Sequence, residues 1–263
     1  MKTIMNKRNL MITAGLLALL IHASVWAEDS LELTVSPEAV SIGTYYTGTD
    51  ITVSGKIPAD AEAVAVFTGD GKELHLKEKD KALGLLWMNM DTLIFKNVPD
   101  VFFVVSGKKI EEMKVEEGSD IQNIGFDGLS RKIILESDKA DPQSYINELF
   151  NLKKYEGLYQ EQTGDNITYA EPDQGYKSFQ ATVHLPSRLS PGSYHVNVYA
   201  VQNGRILNHA EKKVAVSLTE MPSFLAGMAF GHSLMFGIMA TVVAIVAGLV
   251  IGFIFQGSKG GAH

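Results

Sequence analysis

The sequence predicts a mainly β exterior arranged as a sandwich of one or two subdomains, with one inserted helix and a single transmembrane helix near the carboxy end. Three observations predict it. Residues 224–255 form an apolar run with one ionisable side chain, His232. Short stretches of alternating apolar and polar residues fill much of the chain before that run, the pattern of half-buried strands. Outside the apolar run, the long stretch that keeps a helical period is residues 141–162.

The apolar run fixes its own structure. Leu234 to Phe255 carries no ionisable side chain. As a helix it reaches about 33 Å, and a bilayer core is roughly 30 Å thick. A single crossing can satisfy its backbone only as a helix. Ala240, Ala244, Gly248 and Gly252 are each four residues apart, and Gly227 and Gly231 add another such pair. Small residues in a line let two helix backbones approach closely in lipid, although Gly and Ala are also common in membrane helices. The partner of such a face is a second copy or another membrane protein.

At the amino end, Lys2, Lys7 and Arg8 precede the apolar stretch Leu10 to Ile21, and Val25-Trp26-Ala27 suits a cleavage site. Residues 1–27 therefore read as a secretory signal; an uncleaved anchor is the alternative. A signal and one late crossing place residues 28 to about 222 outside the cytoplasm and residues 256–263, with Lys259, inside. The expected setting is a bacterial inner membrane, single pass, with a periplasmic amino-terminal domain.

Composition removes several classes of function. There is no cysteine, so no disulfide, thiolate metal site or thiol nucleophile supports the exterior. About 195 exterior residues are enough for one large or two small cores. The net charge of -7 argues against a general nucleic-acid or anionic-lipid binder.

The first exterior part, residues 28–135, reads as β. Leu31 to Val35 and Asp50 to Ser54 alternate, and Ala63 to Phe67 is a buried-type strand. Asp70-Gly71 predicts a tight turn that returns Glu73 to Leu76 as the partner of Ala63 to Phe67. Lys77 to Lys81 reads as a solvated strand end or loop. Leu85 to Phe95 and Val101 to Val105 are further strands, separated by Asn97 to Asp100. Trp87, Met88 and Met90 read as core packing, with an apolar groove as the alternative.

Residues 136–165 form the helical segment. Asp141 and Pro142 suit the N-cap and first helical position, Tyr145, Leu149, Leu152, Tyr155 or Glu156, and Tyr159 follow the helical period, and Gly164 is the expected stop. Residues 166–219 return to β as a membrane-proximal subdomain. Phe179 to Leu185 is a strand, Tyr194 to Tyr199 alternates, and Asn203-Gly204 is a hairpin signal. Pro191-Gly192-Ser193-Tyr194 ahead of that strand looks like the last strands of an immunoglobulin-like sandwich.

Lys77 to Ile110 resembles a family of bacterial transmembrane proteins, Alph_Pro_TM. The matching positions are Gly84, Trp87, Asn89, Phe95, Val98 and Pro99. Gly84 and Trp87 stand one residue farther apart than in the family's pattern, and Phe103 occupies a position where Tyr is common. The resemblance implies an exterior β domain on one carboxy-terminal helix, no established activity, and genes paired with permeases similar to sulfite exporters of the TauE/SafE type.

No Gly-x-Ser-x-Gly, phosphate loop, His-Glu-x-x-His or dinucleotide fingerprint occurs, so no enzyme and no cofactor is expected. The candidate metal ligands are His184 and His195: on paired strands both imidazoles would share the outer face, and with a carboxylate could hold zinc or copper. The alternative is ordinary surface histidines. The expectation is a membrane-anchored periplasmic accessory or interaction protein, a partner of a TauE/SafE-like anion permease in its most specific form. The alternative is a periplasmic solute- or metal-binding sensor domain.

Overall fold

The computed structural model describes residues 31–82, 86–113, 120–136 and 141–256. The expected signal, Gly84 and the tail from residue 257 lie outside the described residues. The strands are β1 (Leu33–Ser36), β2 (Ala39–Ile42), β3 (Gly48–Pro58), β4 (Glu62–Gly69), β5 (Gly71–Ala82), β6 (Leu86–Pro99), β7 (Phe102–Ser106), β8 (Ile134–Glu136), β9 (Tyr159–Thr163), β10 (Ile167–Tyr169), β11 (Tyr176–Pro186), β12 (Gly192–Gln202) and β13 (Arg205–Leu218). The helices are α1 (Ile110–Met113), α2 (Phe126–Lys132), α3 (Pro142–Tyr155), α4 (Glu220–Gly231) and α5 (Ser233–Gln256).

Two sheets face each other across one core. The first has the order β1-β3-β11-β10, with antiparallel neighbours throughout. The second has the order β2-β13-β12-β4-β7-β9, antiparallel inside and parallel at both outer pairs. Alternate residues point inward: Ile51, Val53 and Ile57 from β3, Ala181, Val183 and Leu185 from β11, Tyr194, Val196 and Val198 from β12. The Tyr194 hydroxyl donates to the Ser190 carbonyl at 2.7 Å, a corner bond of the kind found in immunoglobulin-like sandwiches.

The expected division between residues 28–135 and 166–219 does not follow the strand pairing. β3 pairs with β11 along its whole length, and β4 pairs with β12. Early and late parts of the chain therefore build one sandwich. The hairpin expected between Ala63–Phe67 and Glu73–Leu76 is also absent from the pairing: β12 and β7 occupy both edges of β4, and β5 pairs with β6 instead.

A second core lies on the outer face of the larger sheet. β4 and β7 are near-continuous apolar runs, which is what strands covered on both faces require. Ala63, Ala65, Phe67, Phe103 and Val105 enter the sandwich core. Val64, Val66, Phe102 and Val104 enter the second core with Leu93, Phe95 and Val98 of β6 and Ile146, Leu149 and Phe150 of α3. The rings of Phe102, Phe126, Phe150 and Tyr159 pack tilted or edge-on at 5.4 to 6.2 Å, favoured arrangements for aromatic quadrupoles.

Helix α3 starts as expected, with the Asp141 side chain accepting the Ser144 N–H at 3.3 Å. It ends earlier than expected. Gly157 has φ +73°, its N–H donates to the Lys154 carbonyl at 3.0 Å, and Leu158 N–H donates to the Lys153 carbonyl at 2.9 Å. That pair of bonds is a Schellman stop, so Gly157 ends the helix and Gly164 does not. Tyr159 is a buried strand residue of β9.

Candidate functional site

The hairpin β5–β6 has a buried root and a bare end. At the root, Gly71 pairs with Pro99, and Leu93, Phe95 and Val98 are buried. The Tyr159 hydroxyl locks the root by donating to the Pro99 carbonyl at 2.9 Å, and desolvation pushes that phenol's pKa far up. Lys72 and Asp100 form an ion pair beside it. From Asp91 back to Leu86 every residue is exposed, a solvent-facing ribbon of roughly 20 Å.

That ribbon carries apolar side chains into solvent. Leu86 is 68%, Trp87 67%, Met88 51% and Met90 61% exposed. The register pairs Lys81 with Trp87 and Lys79 with Asn89, so these four share one face and Leu86 and Met88 take the other. Lys81 Nζ lies 5.3 Å from the Trp87 ring centroid, within cation–π range. The core packing expected of Trp87, Met88 and Met90 does not occur, because the second core ends at Leu93. A two-stranded ribbon gains little stability alone, and clustered exposed hydrophobes mark contact surfaces. Methionine adapts its shape to varied partners.

The family-matching positions split along this boundary. Phe95, Val98 and Pro99 are buried and seat the hairpin. Trp87 and Asn89 stand on the bare end. Gly84 lies outside the described residues.

The two histidines do not come together. His184 sits on β11 in the smaller sheet and His195 on β12 in the larger, because the chain crosses between sheets from Pro186 to Gly192. His184 Nδ1 contacts the Asp50 carboxylate at 2.6 Å. His195 Nδ1 meets Glu211 at 2.6 Å and Nε2 meets Asp70 at 2.9 Å. Both ring nitrogens are occupied, which suits an imidazolium bridging two carboxylates and not a metal ligand. The hydrogen bond to Glu211, with that to Asp70, raises the His195 pKa against partial desolvation. Among the described residues no group of three or more His, Asp or Glu is placed to hold a metal ion.

Near the hairpin root, Thr68, Asn97, Asn123, Asn197 and Lys132 line an open cleft of about 470 Å³ together with Phe102 and Ile124. The Asn97 amide already donates to the Lys132 carbonyl at 3.2 Å.

The apolar run is two helices and not one. Their hydrogen-bond ladders meet at His232, whose φ and ψ are -138° and 54°. Its N–H closes on Met228 at 3.0 Å and its carbonyl opens the next ladder to Phe236 at 3.0 Å. Ser233–Phe255 is long and apolar enough to cross a membrane. Ala240, Ala244, Gly248 and Gly252 lie on α5 and are exposed, with open space beside Gly248 and Gly252. Gly227 and Gly231 lie on α4, beyond the break, so they do not continue that stripe.

The exposed ribbon and the second core were both missed from sequence. The continuous apolar runs of β4 and β7, and Gly157, were the signals that could have found the core.

A family model described as "Putative transmembrane protein" (Alph_Pro_TM) matches residues 30–257. A search of curated proteins gave no match. The chain is similar to the solved structure of murine CRIg at 10% identity, covering 72% of this chain and 99% of that one, with a TM-score of 0.24. At that score the likeness carries no argument.

Proposed function

The chain belongs to the Alph_Pro_TM family of transmembrane proteins, and from that premise we propose that it is a non-enzymatic interaction protein of the bacterial envelope. In this reading α5 crosses the inner membrane, the sandwich is periplasmic, and the hairpin presents Trp87 and its neighbours to a partner. The small-residue face of α5 docks against the same partner within the bilayer. The resemblance to a family paired with permeases makes a TauE/SafE-like anion permease the most specific candidate.

One observation carries the proposal. The family-matching positions divide into a buried set that seats the hairpin and an exposed set, Trp87 and Asn89, outside the fold's cores. Exposed tryptophan with adaptable methionines is the composition of a binding hot spot.

A photoreactive residue at position 248, irradiated in native membranes, tests the docking. The proposal expects a covalent adduct with a multi-pass membrane protein. Recovery of the uncrosslinked monomer alone counts against it. A self-adduct alone replaces the accessory role with a homodimer.

The cleft at the hairpin root supports a second reading, a sensor for a small polar solute. Asn97, Asn123, Asn197 and Lys132 line it beside the apolar Val66, Phe102 and Ile124, the usual mix of polar and apolar lining in a small-molecule site. Native mass spectrometry of the gently purified full chain tests it: a retained small molecule that an Asn197→Leu variant loses would favour the sensor.

A further inference from the structure

We propose that α4 is a lipid-binding helix lying in the membrane plane, seated at the acyl–headgroup boundary of the bilayer that α5 crosses. The inference rests on membrane anchorage and is independent of any protein partner.

Length comes first. End to end, α4 and α5 would run to roughly 54 Å, far beyond a hydrocarbon core of roughly 30 Å. α5 alone has 24 residues, roughly 36 Å, and fills the core. The two helices therefore cannot both lie in the core along one axis, and the ladder breaks at His232, where the backbone is no longer helical.

Thr219 is the single residue between β13 and α4, and its N–H donates to the Ile42 carbonyl of β2 at 3.0 Å. Gly43 closes down on Glu220: a Cβ there would stand 3.3 Å from the Glu220 carboxylate. α4 therefore starts at the sandwich and ends at the membrane span, with one residue of slack at each end.

Its sequence fits that position. Met221, Phe224, Leu225 and Met228 recur at i, i+3, i+4 and i+7, one broad face of bulky apolar side chains. The small residues Ser223, Ala226 and Gly227 occupy the other side. Met221 and Phe224 are 56% and 55% exposed. Phe230, 92% exposed, departs from that face but sits beside the joint, where the chain turns into the bilayer. Continuity with the α5 span names the occupant as lipid. An interfacial helix of this kind buries its apolar face by about 5–10 Å, and here it would fix how the sandwich stands on the membrane.

The chain has no cysteine, so single cysteines at positions 221, 223, 224, 225, 227 and 228 can carry a nitroxide without further change. The full-length protein is reconstituted in phosphatidylethanolamine–phosphatidylglycerol vesicles, and access to oxygen and to a nickel chelate is read by electron paramagnetic resonance. A label that lowers the melting point of the exterior is dropped, and the remaining members of its face are read. The expected result is a several-fold swing in the oxygen-to-nickel ratio with helical period, high at 221, 224, 225 and 228 and low at 223 and 227. A steady rise along α4 without period would show a continuous span and overturn the proposal. Nickel access at all six sites would show a linker in water, and exclusion of both reagents would show protein covering the helix; either result overturns it.

Discussion

Phe95→Ala tests the idea that the hairpin is held by a second core coupled to the first. Phe95 is 1% exposed and shares that core with Leu93, Val98, Ile146 and Leu149. Burial of a phenylalanine contributes about 1.5–3 kcal/mol, and the cavity left behind raises the expected loss to about 3–5 kcal/mol. In a domain of this size each kcal/mol moves the midpoint by about 2–4 °C, so the fall should be on the order of 10 °C. β4 and β7 place alternate residues in both cores, so the loss should appear as one displaced transition. Calorimetry of the full chain in detergent reads it, with Met88→Ala, on the bare ribbon, expected to change stability by less than about 0.5 kcal/mol. A shift under about 2 °C, or a split melt with the sandwich transition unmoved, would refute the coupling.

Four further outcomes follow from the same structure. Gly128→Ala should destabilise by about 1–3 kcal/mol, because a Cβ there collides with the Asn123 carbonyl of the preceding turn; chemical denaturation measures it. The His195 pKa is raised from the ordinary 6.5, so its bridge to Glu211 and Asp70 stabilises fully below that value and is lost as pH rises through the folded pKa. The melting-point gap between wild type and His195→Gln should therefore shrink with rising pH, and a gap that widens contradicts the bridge. Replacing Trp87, Met88 and Met90 together by Ser should leave the melting point within the scatter of surface changes while abolishing partner adducts. Gly248→Leu should leave exterior stability unchanged and lower adduct yield from the neighbouring position 244, because the added side chain holds the helices apart.

Local chemistry made the strands legible and left their neighbours hidden. Tyr194 to Tyr199 and Asn203-Gly204 announced β12, its turn and β13, and the hairpin formed as expected. Asp70-Gly71 gave an equally good turn signal, but β4 had both edges filled by β12 and β7, partners far away in sequence. His184 and His195 are close in sequence, yet the crossing between sheets separates them, and strand periodicity cannot show a crossing. Tyr159 kept the helical period of α3 by coincidence; Gly157 was the true stop, visible as a glycine but ambiguous beside Gly164. The bare ribbon was hidden for a simpler reason. Leu86, Met88 and Met90 have core composition, and only the position of the second core, which stops at Leu93, shows that among the described residues they stay exposed.

The most direct test of the central claim places a photoreactive residue at position 87 in the full-length protein and irradiates native membranes. The account predicts an adduct with the same multi-pass membrane protein that position 248 captures, because the hairpin and α5 serve one partner. No protein adduct from position 87, with the exterior folded and the helix inserted, would contradict it.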